Sequence, residues 1–138
     1  MAKKTKAKRA AAKKAPKTAS TFTLPALAKD ETYKGLIVSE SGKPLHHVIE
    51  ISVPTPNLPW DQAMVFTKKR GADLPSLREG SLLRASDAKG QSGWFWMNEE
   101  CEADSVYAYA QGFGDGGQGY CRKSFACRVR LVRRVAIQ

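Results

Sequence analysis

The apolar and polar positions of this chain change their period twice, and each change marks a different kind of element. "YKGLIVSE" from Tyr33 gathers β-branched and apolar residues and predicts a strand. "SGKP" supplies a turn, and "LHHVIEISV" returns as the second arm of a hairpin. His46 and His47 are neighbours on that arm, so they face opposite sides and are expected as strand-surface histidines, not joint ligands. "PTPNLP" then breaks the sheet. In "WDQAMVFTKKRG", Trp60, Ala63, Met64 and Thr67 recur at helical spacing, with Pro59 suited to the start and Gly71 to the C-terminal cap. Lys68, Lys69 and Arg70 suit the negative end of that helix dipole. "LPSLREGSLLRA" predicts a second helix, opened by a capping box at Ser76 and Glu79. Leu82 and Leu83 would face the core, and Gly80 weakens the helix.

Beyond the helices the period falls to two. "GWFWMNEE" sets Trp94, Trp96 and Asn98 against Phe95 and Met97, and "VYAYAQGF" sets Tyr107, Tyr109, Gln111 and Phe113 against smaller residues. "SFACRVRLVRRVAI" places Phe125, Cys127, Val129, Leu131, Val135 and Ile137 on one face and Arg128, Arg130 and Arg134 on the other. Three such segments predict an antiparallel meander. Arg133 breaks the last alternation and is expected to snorkel or meet an acid.

The glycine run "GFGDGGQGYCRKSF" raises the question of phosphate binding. A phosphate loop follows a strand and opens a helix, where N–H groups and the dipole meet the anion. This run leads from strand to strand and lacks the lysine of such loops, so it predicts a hairpin turn centred on Asp115-Gly116. Its tip still gathers tyrosines, amides and cations on a rigid sheet, which suits ligand recognition.

Charge divides the chain. Its first twenty residues carry eight Lys or Arg and no acid, namely Lys3, Lys4, Lys6, Lys8, Arg9, Lys13, Lys14 and Lys17. The whole chain has 23 basic and 13 acidic residues, so the remainder holds 15 against 13 and is nearly neutral. Residues 1–20 lack large apolar side chains and are predicted to be a disordered, polyanion-seeking tail. Residues 21–32 read as a linker, and 33–138 as the single folded domain. The tail has no apolar core of a secretory signal, and no later stretch is apolar enough to span a bilayer. Three cysteines form no CxxC pair. On one continuous strand Cys121 and Cys127 would stand roughly 20 Å apart, so three separate reduced thiols are expected, with no metal site and no cofactor.

The ordered set of a Trp-led helix, "LPS..E..LL", "WFWMNEE", "YAYAQGF" and "RVRLVRRV" resembles a known family. It is similar to the C-terminal domains of collagen-like bacterial adhesins and related phage and prophage proteins. Those belong to the formylglycine-generating-enzyme-like branch of the C-type lectin fold. The resemblance spans Tyr33 to Ile137 and implies an α+β, C-type-lectin-like domain. Two helices would pack on an antiparallel sheet or meander, and the N-terminal hairpin would approach the final strand. It also implies ligand binding by the C-terminal strands and loops, here Asn98, Glu99, Tyr107, Tyr109, Gln111, Asp115, Tyr120, Arg122 and Lys123. The calcium-binding elements of lectins and the four-residue cysteine spacing of the oxidases are not matched.

Three classes of function follow. One is a non-enzymatic recognition or virion-associated module that binds a protein or glycan, in the host cytoplasm or a phage particle. Another is a nucleic-acid-binding accessory protein, whose tail cations release counterions and whose surface Arg128, Arg130 and Arg134 extend. A structural part of a particle is a variant of the first. An enzyme is the weakest reading, since no carboxylate pair, nucleophile–base motif or cofactor fingerprint is found.

Overall fold

The computed structural model describes residues 23–87 and 91–137. Its elements run β1 (Glu31–Val38), β2 (Pro44–Ile51), α1 (Trp60–Lys68), α2 (Leu77–Ser86), β3 (Trp94–Glu100), β4 (Tyr107–Gly112), β5 (Gln118–Arg122) and β6 (Leu131–Ala136). They form two three-stranded antiparallel sheets, ordered β1-β2-β6 and β3-β4-β5, so the domain is α+β.

Local signals act as the chain predicts. Ser39 and Lys43 close the first hairpin, with Gly42 at φ +85°. The capping box is complete: Ser76 Oγ accepts from the Glu79 N–H at 3.1 Å, and Glu79 Oε1 accepts from the Ser76 N–H at 2.8 Å. The glycine run is a turn, where Asp115 Oδ1 accepts from the Gly117 N–H at 2.9 Å and Gly116 sits at φ +85°.

The middle of strand β3, Phe95 to Met97, is buried on both faces, which explains its density of large side chains. Trp96 joins Trp60, Ala63, Leu74, Ala108 and Ala110 in one apolar cluster. Phe95 and Met97 join Val48, Leu83, Phe113 and Val132 in the other. Helix α1 serves the first cluster and α2 the second. Two indoles stitch α1 and its approach to β3: Trp60 Nε1 donates to the Met97 carbonyl at 2.8 Å and Trp96 Nε1 to the Leu58 carbonyl at 2.7 Å.

The segment after β5 departs from the expected single strand. A turn, with the Phe125 N–H on the Arg122 carbonyl, reverses the chain. Cys127 then bridges Leu58, and Arg128 pairs along the edge of β3. Only afterwards does β6 form, paired not with the meander but with β2. The N-terminal hairpin and final strand thus meet, and residues 127–136 tie the two sheets together.

This crossing corrects the picture of three surface arginines in part: Arg128 is exposed, Arg134 is exposed but ion-paired, and Arg130 is buried. Arg130 is only 4 % exposed and donates two hydrogen bonds to Glu50 (2.6 and 2.7 Å) and two to Asp87 (both 3.0 Å). Lys34 completes the group, 3.5 Å from Glu50 and 3.2 Å from Asp87. Arg134 binds Glu79 with two bonds of 2.7 Å and reaches Asp73 at 2.9 Å. Arg133 meets Glu31 across β2, at 2.6 and 2.8 Å. The histidines are not simple surface residues either. His46 Nε2 lies 2.8 Å from Glu79, while His47 is buried and its Nδ1 lies 2.8 Å from the Tyr33 hydroxyl. Among the described residues no buried side-chain polar atom lacks a partner.

These pairings set how the carboxylates titrate. The Arg133 guanidinium, helped by the Ala28 N–H, holds Glu31 down at about 2. Burial pushes Glu79 and Asp87 up, but Arg134 and the Ser76 N–H on the first, and Arg130 and Lys34 on the second, outweigh it. Both titrate below their ordinary values. A depressed carboxyl contributes stability above its unfolded pKa and loses it as pH falls through the folded one. For Glu31 that loss runs from about 4.5 down to about 2. The melting temperature is expected to fall through this window, and Glu31→Gln to flatten part of the fall. An unchanged pH slope in that variant, followed by circular dichroism, contradicts the assignment.

Gly80 yields a second expectation. A Cβ there would stand 2.5 Å from Gln111 Oε1 and 2.7 Å from Met97 Sδ. Alanine is the better helix former by about 1 kcal/mol, but overpacking typically costs about 1–3 kcal/mol. Both contacts are held in the core, so the clash decides the sign: Gly80→Ala destabilises the protein in urea unfolding. A stabilised variant contradicts this packing.

Candidate functional site

Alternation along β4 and the register with β5 place three cross-strand pairs on one face of the meander: Tyr107 with Arg122, Tyr109 with Tyr120, and Gln111 with Gln118. The pairs form a ladder. Arg122 lies over the Tyr107 ring at 5.6 Å. The rings of Tyr109 and Tyr120 are 4.7 Å apart, and their hydroxyls are bonded at 3.1 Å. Gln118 Nε2 donates to Gln111 Oε1 at 2.7 Å and to the Leu77 carbonyl at 2.7 Å.

Helix α2 covers only the amide end of this ladder. Gln111 is fully buried and donates to the Gly80 carbonyl at 2.9 Å, so it supports the site from within and offers nothing to a ligand. At the other end Tyr120 is 58 % exposed and Arg122 is exposed, beside half-buried Tyr107 and Tyr109. The Tyr120 hydroxyl is pushed up to about 12 by its bonds to Tyr109 and then Cys101, and so remains a neutral phenol. The result is an aromatic and cationic surface held rigid by its own cross-strand contacts.

The other expected binding residues are engaged in the fold. Glu99 accepts from the Leu77 N–H at 2.7 Å, at the positive end of α2. Asn98 donates to Asp73 at 3.2 Å. Lys123 pairs with Glu100 at 2.8 Å and lies 4.6 Å over the Trp60 ring. Asp115 holds the hairpin turn. The eight tail cations lie outside the described residues.

A second surface was not anticipated from the sequence. Trp94 is 51 % and Phe125 57 % exposed, and with Asn57, Arg128, Cys121 and Cys127 they line a hollow of about 350 Å³. Asn57 and Arg128 also border a hollow of about 450 Å³ that runs along residues 50–55. The cysteines overturn the distance expected of them: the turn at Arg122–Phe125 brings their Sγ atoms to 3.8 Å. Only the run of aromatic residues around Trp94 hinted at this surface. The chain reversal that completes it depends on the Leu58–Cys127 bridge, far apart in sequence.

Among the described residues no three His, Cys, Asp or Glu side chains gather where they could hold a metal ion. Among them, too, no helix is long and apolar enough to cross a membrane. No protein-family model matches this chain, and no curated protein matches it.

Proposed function

We propose that this chain is a recognition module with a C-type-lectin-like fold, of the kind carried by phages and prophages, that binds a protein or glycan ligand on the exposed end of its tyrosine ladder. The observation that carries the reading is the ladder's form: Tyr107, Tyr109, Tyr120 and Arg122 share one face and are fixed by contacts with one another. Aromatic and arginine side chains supply most of the energy at binding surfaces, and groups already held in place lose little entropy on binding. The phenols present both an apolar ring and a hydroxyl, which suits the faces and hydroxyls of sugars as well as protein surfaces.

The basic tail has a separate role in this reading. With Arg130, Arg133 and Arg134 each held by carboxylates, the folded body offers a polyanion few free cations along the final strand. The eight cations of residues 1–20 then carry any attraction to nucleic acid, in solution or within a particle. The tail tethers and the body recognises.

The two roles separate in binding measurements on the full-length chain, using duplex DNA and an immobilised glycan and protein panel. Replacing the eight tail cations with Gln is expected to abolish DNA binding and its salt dependence, whose log–log slope reaches about −7 if all eight engage phosphates. The double variant Tyr120→Ala, Arg122→Ala is expected to stay folded, with a modestly lower melting temperature from the lost cross-strand contacts, and to keep the wild-type DNA affinity. It should bind any body-specific ligand at least about tenfold more weakly, a loss of about 1.4 kcal/mol. Undiminished binding by that variant to every ligand the wild type retains would remove the ladder as the recognition surface.

A further inference from the structure

The two thiols at the floor of the unanticipated hollow differ in access and in chemistry. Cys121 is the penultimate residue of β5, is half-buried and borders the hollow, whereas Cys127 is 8 % exposed and belongs to the apolar core. Their Sγ atoms, 3.8 Å apart, are separated by less than about 2 Å beyond a disulfide bond length of about 2.05 Å. Side-chain torsion can close such a gap without moving the backbone far. Both segments are anchored: β5 pairs with β4, and Cys127 bonds the backbone of Leu58 in both directions. Burial, then the neighbouring Cys121, pushes the Cys127 thiol up to about 12. The more accessible Cys121 is therefore the thiol that an external disulfide meets first, with Cys127 behind it. The third thiol, Cys101, is buried and bonded to Tyr120.

We propose that Cys121 and Cys127 are a redox-active dithiol, a modification site for low-molecular-weight disulfides of the glutathione class. Cys121 loses its proton and its thiolate attacks one sulfur of the small disulfide, breaking that S–S bond and expelling one small thiolate, which takes up a proton. Cys127 then loses its proton and attacks the Cys121 sulfur, expelling the second small thiol. The protein gives up two S–H bonds and gains one S–S bond, and the small disulfide is reduced to two thiols. The bond ties the end of β5 to the segment that joins the sheets. It fixes the intervening turn and, through Phe125, the width of the hollow beside Trp94. This inference does not rest on the tyrosine ladder.

The test is to equilibrate the full-length protein with graded mixtures of reduced and oxidised glutathione, trap free thiols by alkylation and map the peptides. Under the oxidised mixtures most chains are expected to carry a Cys121–Cys127 bond with Cys101 alkylated. Cys127→Ser is expected to trap glutathione on Cys121. The proposal fails if all three cysteines remain alkylated under millimolar oxidised glutathione, if the wild type stops at a glutathione adduct, or if Cys101 enters the bond. Mapping of the wild type decides the matter even if the variant does not fold.

Discussion

Arg130 is a full positive charge withdrawn from water, and the architecture is arranged around satisfying it. Its guanidinium forms paired bonds to Glu50 of β2 and Asp87 at the end of α2, lies 4.8 Å over the Phe113 ring, and shares both acids with Lys34 of β1. Two cations thus face two anions. Such a group repays its desolvation only if every partner is in place, so it fixes geometry more strongly than it adds stability. It joins the first hairpin, the second helix and the crossing segment that leads into β6. Glu79 performs a similar task at the other end of α2, where a carboxylate only 1 % exposed caps the helix and receives both Arg134 and His46.

With these ends pinned, α2 lies across one face of the meander and covers half of the ladder. Gln118 reaches its Leu77 carbonyl and Ser81 hydroxyl, and Gln111 reaches its Gly80 carbonyl, which requires the absence of a side chain at Gly80. Where the helix ends its coverage, Tyr120 is exposed and Tyr107 and Tyr109 are half-buried. Their rigidity has its origin in the same packing: Tyr109 rests on the cluster formed by Phe95, Met97, Leu83 and Phe113. Fold and recognition surface are therefore one mechanical unit.

Elements set by neighbouring residues were legible in the chain. The capping box, the Gly42 and Gly116 turns and the alternation of β3 and β4 each depend on spacings of two to four residues. Pairings across long separations were not. Arg130 and Arg134 read as a solvated stripe because their acids lie 80, 43 and 55 positions away. The cysteines read as distant because nothing local announces the turn between them. The binding face was half legible. Alternation put Tyr107, Tyr109 and Gln111 on one side, but only the position of α2 shows that Gln111 is buried while the two tyrosines stay half-exposed.

The dependence of the fold on Arg130 is tested most directly by urea unfolding of Arg130→Ala. That variant leaves the largely covered Glu50 and Asp87 with Lys34 as their remaining cation, and the account predicts a loss of about 3–5 kcal/mol. A loss below about 1 kcal/mol, with the native spectrum retained, would show that the sheets and helix hold their places without the buried charge.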